Sequence, residues 1–177
     1  MPITQSQALE AVRAAVASAT GVVAIIARYD AVRPATPYCT VDIIDVDEIG
    51  YPQVQISPYT LSSLEELRVQ VTGYGLGMDA MLQSAKKRLW TPDDSVGASL
   101  IAAGVYPQRT TSLAHITAPY RTGQEPRWTF DLIAQYEWVD ADAAAGVDAA
   151  ASIVVDIHAR GAVAADAEPA IVIPEVP

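Results

Sequence analysis

The sequence is poor in the side chains that most often carry chemistry, with one cysteine and two histidines in 177 residues. A single cysteine forms neither an internal disulfide nor a thiolate metal cage, and Cys39 lies in a strand-like pattern typical of a small buried hydrophobe. His115 and His158 also lie in strand-like patterns, with no catalytic partner beside them in sequence. The sequence therefore predicts a protein without enzyme activity, cofactor or metal.

Positive charge is also scarce, with 11 Lys and Arg residues against 21 Asp and Glu residues and a formal net charge of -10. Such a chain has no electrostatic footprint for gripping phosphates, which argues against nucleic-acid binding by attraction. The amino terminus lacks a basic segment followed by an apolar one, and no apolar run approaches the roughly 20 residues that cross a bilayer. We therefore expect a soluble protein that folds in the cytosol.

Hydrophobic residues are plentiful, at 51% of the total, which is enough for a sizeable core. The clearest pattern runs from Glu65 to Trp90, where the apolar period changes from two to nearly four across Gly73, Gly75 and Gly77. This change predicts a strand, a tight corner and a helix. The residues expected to be buried are Leu67, Val69 and Val71 of the strand and Met78, Met81, Leu82, Ala85 and Leu89 of the helix.

The amino-terminal part predicts a helix followed by a strand. Thr4 and Gln7 have the spacing of a capping box, and the helix that they begin can end at Gly21. The following run, residues 22–29, is β-branched and apolar on both faces until Arg28. That pattern predicts an inner strand of a sheet.

The next part of the chain predicts a connector, a strand and a long excursion. Residues 33–38 contain two prolines, which lack the N–H of a central strand, and therefore predict a rigid connector. Residues 38–47 predict a strand, in which adjacent Ile43 and Ile44 indicate a bulge or burial on both faces. Residues 48–63 combine glycine and prolines with apolar anchors, which predicts a long loop, a β-excursion or flap.

The carboxyl-terminal half predicts a short helix and a long hairpin. Asp93 or Asp94 can cap the helix. Residues 105–120 and 127–140 are rich in β-forming residues, and 121–124 have the composition of a turn between them. These features predict a long antiparallel hairpin.

The complete pattern predicts an α+β fold with a mixed, mainly antiparallel sheet and two or three helices packed on one face. Residues 141–151 fit a short helix or a connector equally well, and 152–158 predict a last strand. We expect one domain over residues 1–160, followed by an extended acidic tail rich in Pro and Ala over 161–177.

Acidic residues cluster in the far half of the strand predicted over 38–47. They are Asp42, Asp45, Asp47 and Glu48. Hard cations prefer several carboxylate oxygens, but this spacing matches no calcium loop. The alternatives are a solvated acidic edge or the wall of an acidic channel.

The glycine corner is superficially similar to a dinucleotide fingerprint, because it lies between a strand and a helix. The third glycine of that fingerprint falls at Met78, which argues against nucleotide binding. At the other end of the same helix, residues 86–88 form a basic run. These cations favour the helix carboxyl terminus or form salt bridges to a neighbouring acidic subunit.

Three segments resemble the tail terminator (neck terminator) proteins of long-tailed bacteriophages. The first is Arg33, Pro34, Pro37 and Tyr38 leading into the strand at 40–44. The second is the strand and glycine corner at 67–75, and the third is the strand at 127–132. The resemblance covers residues 22–157, and the acidic tail from Gly161 onward departs from the pattern.

The resemblance implies an α+β structural subunit that assembles as a ring, usually a hexamer, at the head-proximal end of the phage tail. Such a ring ends tube growth and receives the head-completion (stopper) protein. The implied partners are further copies of the chain, the tail tube protein, the head-completion protein, the sheath in tails that have one, and genomic DNA that passes through without specific binding. The implied location is the virion neck, after synthesis in the host cytoplasm and without any membrane contact.

In such a ring, Asp42, Asp45, Asp47 and Glu48 are candidate channel-lining residues, because an acidic wall repels DNA phosphates. Candidate subunit or partner contacts are Arg33, Tyr51, Ile56, Tyr59, Lys86, Lys87, Arg88, Ile171 and Ile173. The alternatives are another ring component of the neck or tail, or a small nucleotide- or metal-binding protein.

Overall fold

The computed structural model describes residues 3–27, 32–56, 59–116, 118–120 and 123–140. Its elements in chain order are α1 (Gln5–Thr20), β1 (Val23–Ile26), β2 (Tyr38–Ile56), β3 (Tyr59–Tyr74), α2 (Met78–Trp90), α3 (Ser95–Ala102), β4 (Val105–Thr110), β5 (Ala114–His115), β6 (Ala118–Tyr120), β7 (Gly123–Glu125) and β8 (Arg127–Asp140).

Six of the strands form one open sheet in the order β1-β2-β3-β8-β4, with β5 also paired to β8. β1 runs parallel to β2, whereas β4 and β5 run antiparallel to β8. β3 and β8 are antiparallel as well, because Glu65 of β3 contacts Tyr136 of β8 and Thr72 contacts Thr129. The predicted α+β fold with a mixed, mainly antiparallel sheet is confirmed.

α1 begins and ends where the sequence predicts. The Gln7 backbone N–H donates to the Thr4 hydroxyl, and the Thr4 N–H donates to the Gln7 side chain, which completes the capping box. Gly21 ends the helix with a φ of 73°, a conformation that glycine adopts without steric cost. The buried face of α1 presents Ala8, Val12, Ala15 and Val16.

The corner between β3 and α2 depends on two glycines with positive φ, Gly75 at 110° and Gly77 at 78°. A side chain at Gly75 would also crowd the connector, because its Cβ would lie 3.2 Å from the Thr36 Cβ and 3.3 Å from the Pro37 Cα. The glycine corner is therefore a close contact between chain segments. α2 then buries four of its five predicted residues, while Met81 is 36% exposed at the margin of the apolar face.

α3 is capped by Asp94, whose carboxylate accepts from the Val96 N–H at 2.9 Å. Of the two predicted caps, Asp94 is the one used. Gly97 lies against the end of α2, where an added Cβ would overlap the Thr91 carbonyl oxygen and approach the Arg88 carbonyl oxygen to 3.2 Å. α3 can pack this closely on α2 because position 97 has no side chain.

The three helices contact one another and pack on one face of the sheet. The sheet contributes alternate residues to this core, as a half-buried strand pattern predicts. Those fully buried include Val41, Leu67, Val69, Val71, Phe130, Leu132, Ala134 and Tyr136.

One prediction about the amino-terminal strands is wrong and one is confirmed. Among the described strands, β1 lies at the edge of the sheet, not inside it. It has four residues, with Ala24 buried and Val23 57% exposed, so its apolar run reflects β-propensity and not burial on both faces. The β-excursion predicted over residues 48–63 is confirmed, because β2 continues to Ile56 and β3 begins at Tyr59. Gly50, at a φ of 80°, and Pro52 both lie within β2.

The predicted pairing of 105–120 with 127–140 is confirmed for β4 and β5. The turn region differs, because β6 and β7 pair with each other in a separate two-stranded sheet. The last strand predicted over 152–158, the segment 141–151, His158 and the tail over 161–177 lie outside the described residues.

The chain divides into two compact units, one comprising Met1–Gln53 with Ser62–Val139 and the other Val54–Leu61 with Asp140–Pro177. All side-chain contacts discussed below belong to the first unit. Over the described residues, every helix is too short or too polar to span a membrane.

Candidate functional site

The acidic residues of β2 lie mostly on the sheet face away from the helices. Ile43 and Val46 both pack against the core. Positions three apart face opposite sides of a regular strand, so the alternation is interrupted between them, in line with the irregularity predicted there. Asp42 before the interruption, and Asp45 and Asp47 after it, therefore face away from the helices, and all three are exposed.

Glu48 has the same parity as Val46 and lies on the helix side, where it is also exposed. Three of the four predicted channel acids thus share a face. An extended strand rises about 3.3 Å per residue, so Asp42 and Asp47 lie roughly 16 Å apart. This spread suits a charged surface and does not suit the ligand shell of one cation. Among the described residues, no group of three or more His, Cys, Asp or Glu side chains is placed to hold a metal ion.

One cation balances part of this face. Arg68 of β3 donates through Nε and Nη2 to Asp131 Oδ2 of β8, at 2.9 and 2.5 Å. This hydrogen bond raises the pKa of Arg68, and the charges of Asp131 and of Asp45 add to the effect. Asp131 is only 8% exposed, and its charge is compensated by Arg68. By strand alternation Glu66 of β3 and Glu137 of β8 share this face with the three aspartates of β2, so the face as a whole is acidic.

Asp131 and Thr129 of β8 are buried, although the alternation of this strand predicts a wet face for them. Thr129 donates its hydroxyl to the Val71 carbonyl at 3.1 Å. The backbone N–H of Asp131 donates to the Thr111 hydroxyl at 2.7 Å. Neighbouring strands thus satisfy these polar groups, which is the condition for burying them.

The segments that carry the family resemblance meet in a cluster formed by Pro37, Tyr38, Tyr74, Gly75 and Arg127, here named the tyrosine cluster. The rings of Tyr38 and Tyr74 stack at 4.6 Å, and the Arg127 guanidinium carbon lies 5.0 Å from the centre of the Tyr74 ring. The Gly75 N–H donates to the carbonyl preceding Arg127 at 3.2 Å. The cluster therefore connects the starts of β2 and β8 with the end of β3.

Burial raises the pKa of the Tyr38 hydroxyl, and the positive charge of Arg33 opposes this shift. Arg33 itself is exposed, next to the cluster. Arg127 also pairs with Glu125, with an N–O distance of 3.1 Å. These contacts are all within the chain, so they explain the sequence pattern through stability of the fold.

In the basic run at the end of α2, Arg88 forms hydrogen bonds to other parts of the chain. Arg88 donates to Asp94 at 3.3 Å and to the Ala19 carbonyl at 3.3 Å, which connects α2 to α3 and α1. Lys86 is half-buried and Lys87 is exposed. The predicted contact with a neighbouring subunit therefore remains a prediction, with the lysines better placed for it than Arg88.

A surface groove of about 210 Å³ lies beside these lysines. It is lined by Leu89, Trp90, Pro92, Gly97, Ile101, Tyr106, Pro107 and Gln108. Trp90 is 49% exposed and Tyr106 is 42% exposed. The groove thus combines accessible aromatic rings with an apolar floor, a composition that is typical of binding surfaces.

A family model described as "Phage neck terminator protein" matches residues 9–160. The match covers most of the chain and extends from α1 through β8. The chain belongs to the phage neck terminator family. It is accordingly a structural protein of the phage tail, as the resemblance implied. No curated protein matches the sequence.

The remaining contact residues predicted for this neck terminator have different placements. Tyr51 is 93% exposed on β2. The backbones of Ile56 and Tyr59 lie at the adjoining ends of β2 and β3. Ile171 and Ile173 lie outside the described residues, so their predicted contacts stay predictions.

The cysteine, a buried tyrosine and the described histidine of the neck terminator all lie in structural environments. Burial raises the pKa of the Cys39 thiol to about 11, so the thiol is protonated and a poor nucleophile near neutral pH. The Tyr136 hydroxyl donates to Glu65 across β8 and β3. The His115 ring packs on Trp128 with ring centres 4.4 Å apart, as expected for a histidine within a strand.

Sequence reasoning missed the groove and the Arg68–Asp131 pair. The groove had a detectable signal, since Trp90 interrupts the polar face of α2 and Pro107 lies within a strand pattern. The ion pair had none, because Arg68 and Asp131 are 63 residues apart in sequence.

Proposed function

We propose that copies of this chain close into a hexameric ring at the head-proximal end of the phage tail. The ring ends growth of the tail tube, receives the head-completion protein and lets genomic DNA pass. Membership of the neck terminator family supports the location. The role needs no catalytic step and no cofactor.

The observation that carries the channel part of the proposal is the shared exposed face of Asp42, Asp45 and Asp47. A carboxylate repels DNA phosphates, and the repulsion acts over a Debye length of about 8 Å at physiological salt. DNA that passes an acidic wall stays mobile, whereas a basic wall would hold it. The net charge of -10 supports a conduit for the same reason.

The candidate surfaces for subunit and partner contacts are the outer part of β2, the lysines of α2 and the carboxyl-terminal segment. Residues 161–177 combine apolar residues with prolines and acids, and a segment so apolar usually docks on another surface. We therefore assign Ile171 and Ile173 to contacts with a neighbouring subunit or the tail tube. Deleting residues 165–177 tests this assignment, and the expected result is abnormal tail length or failure to join heads. Normal tails that still join heads would contradict it.

The decisive experiment deletes the gene from the phage and measures the length of the tails by negative-stain electron microscopy. A terminator role predicts overlong tubes that are not joined to heads, and normal tails when the chain is supplied in trans. An antibody to the chain should label the junction of head and tail. Tails of normal length that fail to join heads would instead identify a head-completion protein and refute the terminator role.

A further inference from the structure

The groove beside Trp90 has the chemistry of a site for apolar side chains with nearby acids. Trp90 is one helical turn from Lys86 and Lys87, and residues three and four apart on a helix are neighbours. These are the only two lysines of the chain. An occupant that complements this surface inserts apolar side chains between the aromatic rings and places carboxylates near the two amines.

The edge of the sheet at the groove favours such side-chain docking over addition of a strand. Pro107 of β4 has no N–H to offer, and the register of β4 against β8 shifts between Pro107 and Arg109. Proline and a bulge are two devices that prevent an edge strand from pairing with another chain. A partner therefore meets the side chains of this edge more readily than its backbone.

The complementary surface lies on β2 of the same molecule. Residues 47–52, here named the β2 arm, place two exposed apolar side chains next to two exposed acids. Tyr51 is 93% exposed and Ile49 is 37% exposed, and they follow Asp47 and Glu48 directly. Tyrosine is enriched in protein interfaces, because it buries a large area with few rotatable bonds.

The β2 arm and the groove of one chain lie at different places along the sheet. β3 and β8 separate β2 from β4, which is a distance of about 14 Å at the spacing of neighbouring strands. The groove is lined by α2, α3, β4 and the segments that connect them. The arm therefore reaches a groove only on another molecule.

We infer that the β2 arm of one copy docks into the Trp90 groove of the next copy, with Tyr51 and Ile49 between the aromatic rings and Asp47 and Glu48 near the two lysines. The two surfaces differ and lie towards opposite edges of the sheet, so the contact is heterologous. Heterologous contacts generate closed rings when the rotation between copies closes. This inference rests on the ring of the proposed function and names the interface that builds it.

The interface is compatible with an acidic channel. Asp42 and Asp45 lie towards the start of β2, outside the arm, and stay available to face the channel. Asp47 is shared between the two surfaces, at the point where the channel face adjoins the arm. The arm therefore begins at the middle of the strand, and the channel uses the part of the strand that precedes it.

The first test is zero-length carbodiimide cross-linking of intact phage tails, which joins an amine directly to a carboxylate, followed by mass spectrometry. The expected product links Lys86 or Lys87 to Asp47 or Glu48. Tails assembled from a mixture of isotopically light and heavy chains show whether such a link joins two copies. Links from the lysines to another tail or head protein, or to Glu168 or Glu175 of the same chain type, would assign the groove to those occupants and overturn the inference.

The second test is a charge exchange, with Lys86→Glu and Lys87→Glu in one variant and Asp47→Lys and Glu48→Lys in another. Each variant alone should weaken association at least about tenfold, and mixing the two should restore it. Tyr51→Ala should weaken association to a similar degree. Leu76→Ala is the matched control, because Leu76 is 87% exposed and lies at the opposite end of α2 from the groove.

The readouts separate this inference from the proposed function. Rings in electron micrographs that persist in every single-sided variant would overturn the interface and leave the terminator role standing. Tails of normal length in the gene deletion would overturn the terminator role without reference to the interface. Circular dichroism of each variant shows whether a loss of association reflects a loss of folding.

Discussion

The rings of Tyr38 and Tyr74 lie 4.6 Å apart and within 5° of parallel, and they join the start of β2 to the end of β3. Tyr38 is only 2% exposed, because the connector and the glycine corner close over it. The stack is the centre of the tyrosine cluster, so its removal should loosen the segments that the cluster joins.

Tyr38→Ala should lower the free energy of unfolding by about 3 kcal/mol, the typical cost of truncating a buried aromatic side chain. Tyr38→Phe keeps the ring and should cost less than about 1.5 kcal/mol. Denaturant unfolding followed by circular dichroism measures both. Equal losses in the two variants would show that the hydroxyl matters more than the stack.

Gly97→Ala should destabilise the protein by about 2 kcal/mol, because the new Cβ overlaps the Thr91 carbonyl oxygen and forces α3 away from α2. Helix propensity alone predicts the opposite, a gain of up to about 1 kcal/mol for replacing glycine by alanine. The sign of the change in unfolding free energy therefore shows whether steric overlap or helix propensity dominates at position 97. Ala98→Ser, at an exposed position of the same helix, should change stability by less than about 0.5 kcal/mol.

Stability should fall in alkaline solution, in part because of Cys39. Burial raises the pKa of its thiol from about 9 to about 11, so the folded state disfavours the thiolate. This contribution is fully present below pH 9 and is lost as the pH rises from 9 to 11, with a total of about 3 kcal/mol.

The measurement compares the wild-type protein with Cys39→Ala in denaturant at pH 8 and at pH 10.5. The wild-type protein should lose more unfolding free energy between the two pH values, because the variant lacks the thiol, while the other ionising groups are common to both. Parallel losses would mean that the thiol ionises as easily in the folded state as in the unfolded one.

Asp42→Lys together with Asp45→Lys should slow DNA ejection or reduce infectivity, because the variant replaces two negative charges per subunit by two positive ones, which attract phosphates. Ejection from purified phage, triggered by receptor and followed by a DNA-binding dye, measures the rate. Asp93→Lys, in the turn before α3 and on the helix side, is the matched control. Unchanged ejection in assembled double-variant particles would remove β2 from the channel wall.

Local signals in the sequence predicted the helices well. The capping box at Thr4, the glycine corner and the cap at Asp94 each depend on contacts within a few residues, so the chain itself specifies them. The alternation of β8 also predicted which of its residues face the helices. Its other face was predicted wet, because the partners that satisfy Thr129 and Asp131 come from distant strands.

The lengths of β2 and β3 and the position of β1 escaped sequence reasoning. Glycine and proline in residues 48–63 favour a loop by local propensity, yet pairing between neighbouring strands overrides that preference. For the candidate site, the acids and the lysines were found from the sequence. The groove was not, because its aromatic rings come together only when α2, α3 and β4 pack.

Because β8 lies between β3 and β4, the sheet is completed only after β8 has been synthesised. β8 follows both neighbours in the chain, and its contact between Tyr136 and Glu65 spans 71 residues. In a nascent chain, β1, β2 and β3 are therefore not joined to β4 until β8 leaves the ribosome. Contacts between residues far apart in sequence form slowly, so we expect the insertion of β8 to be a slow step of folding. Chains that end before β8 lack the strand that joins β3 to β4, so we expect them neither to fold nor to enter a virion.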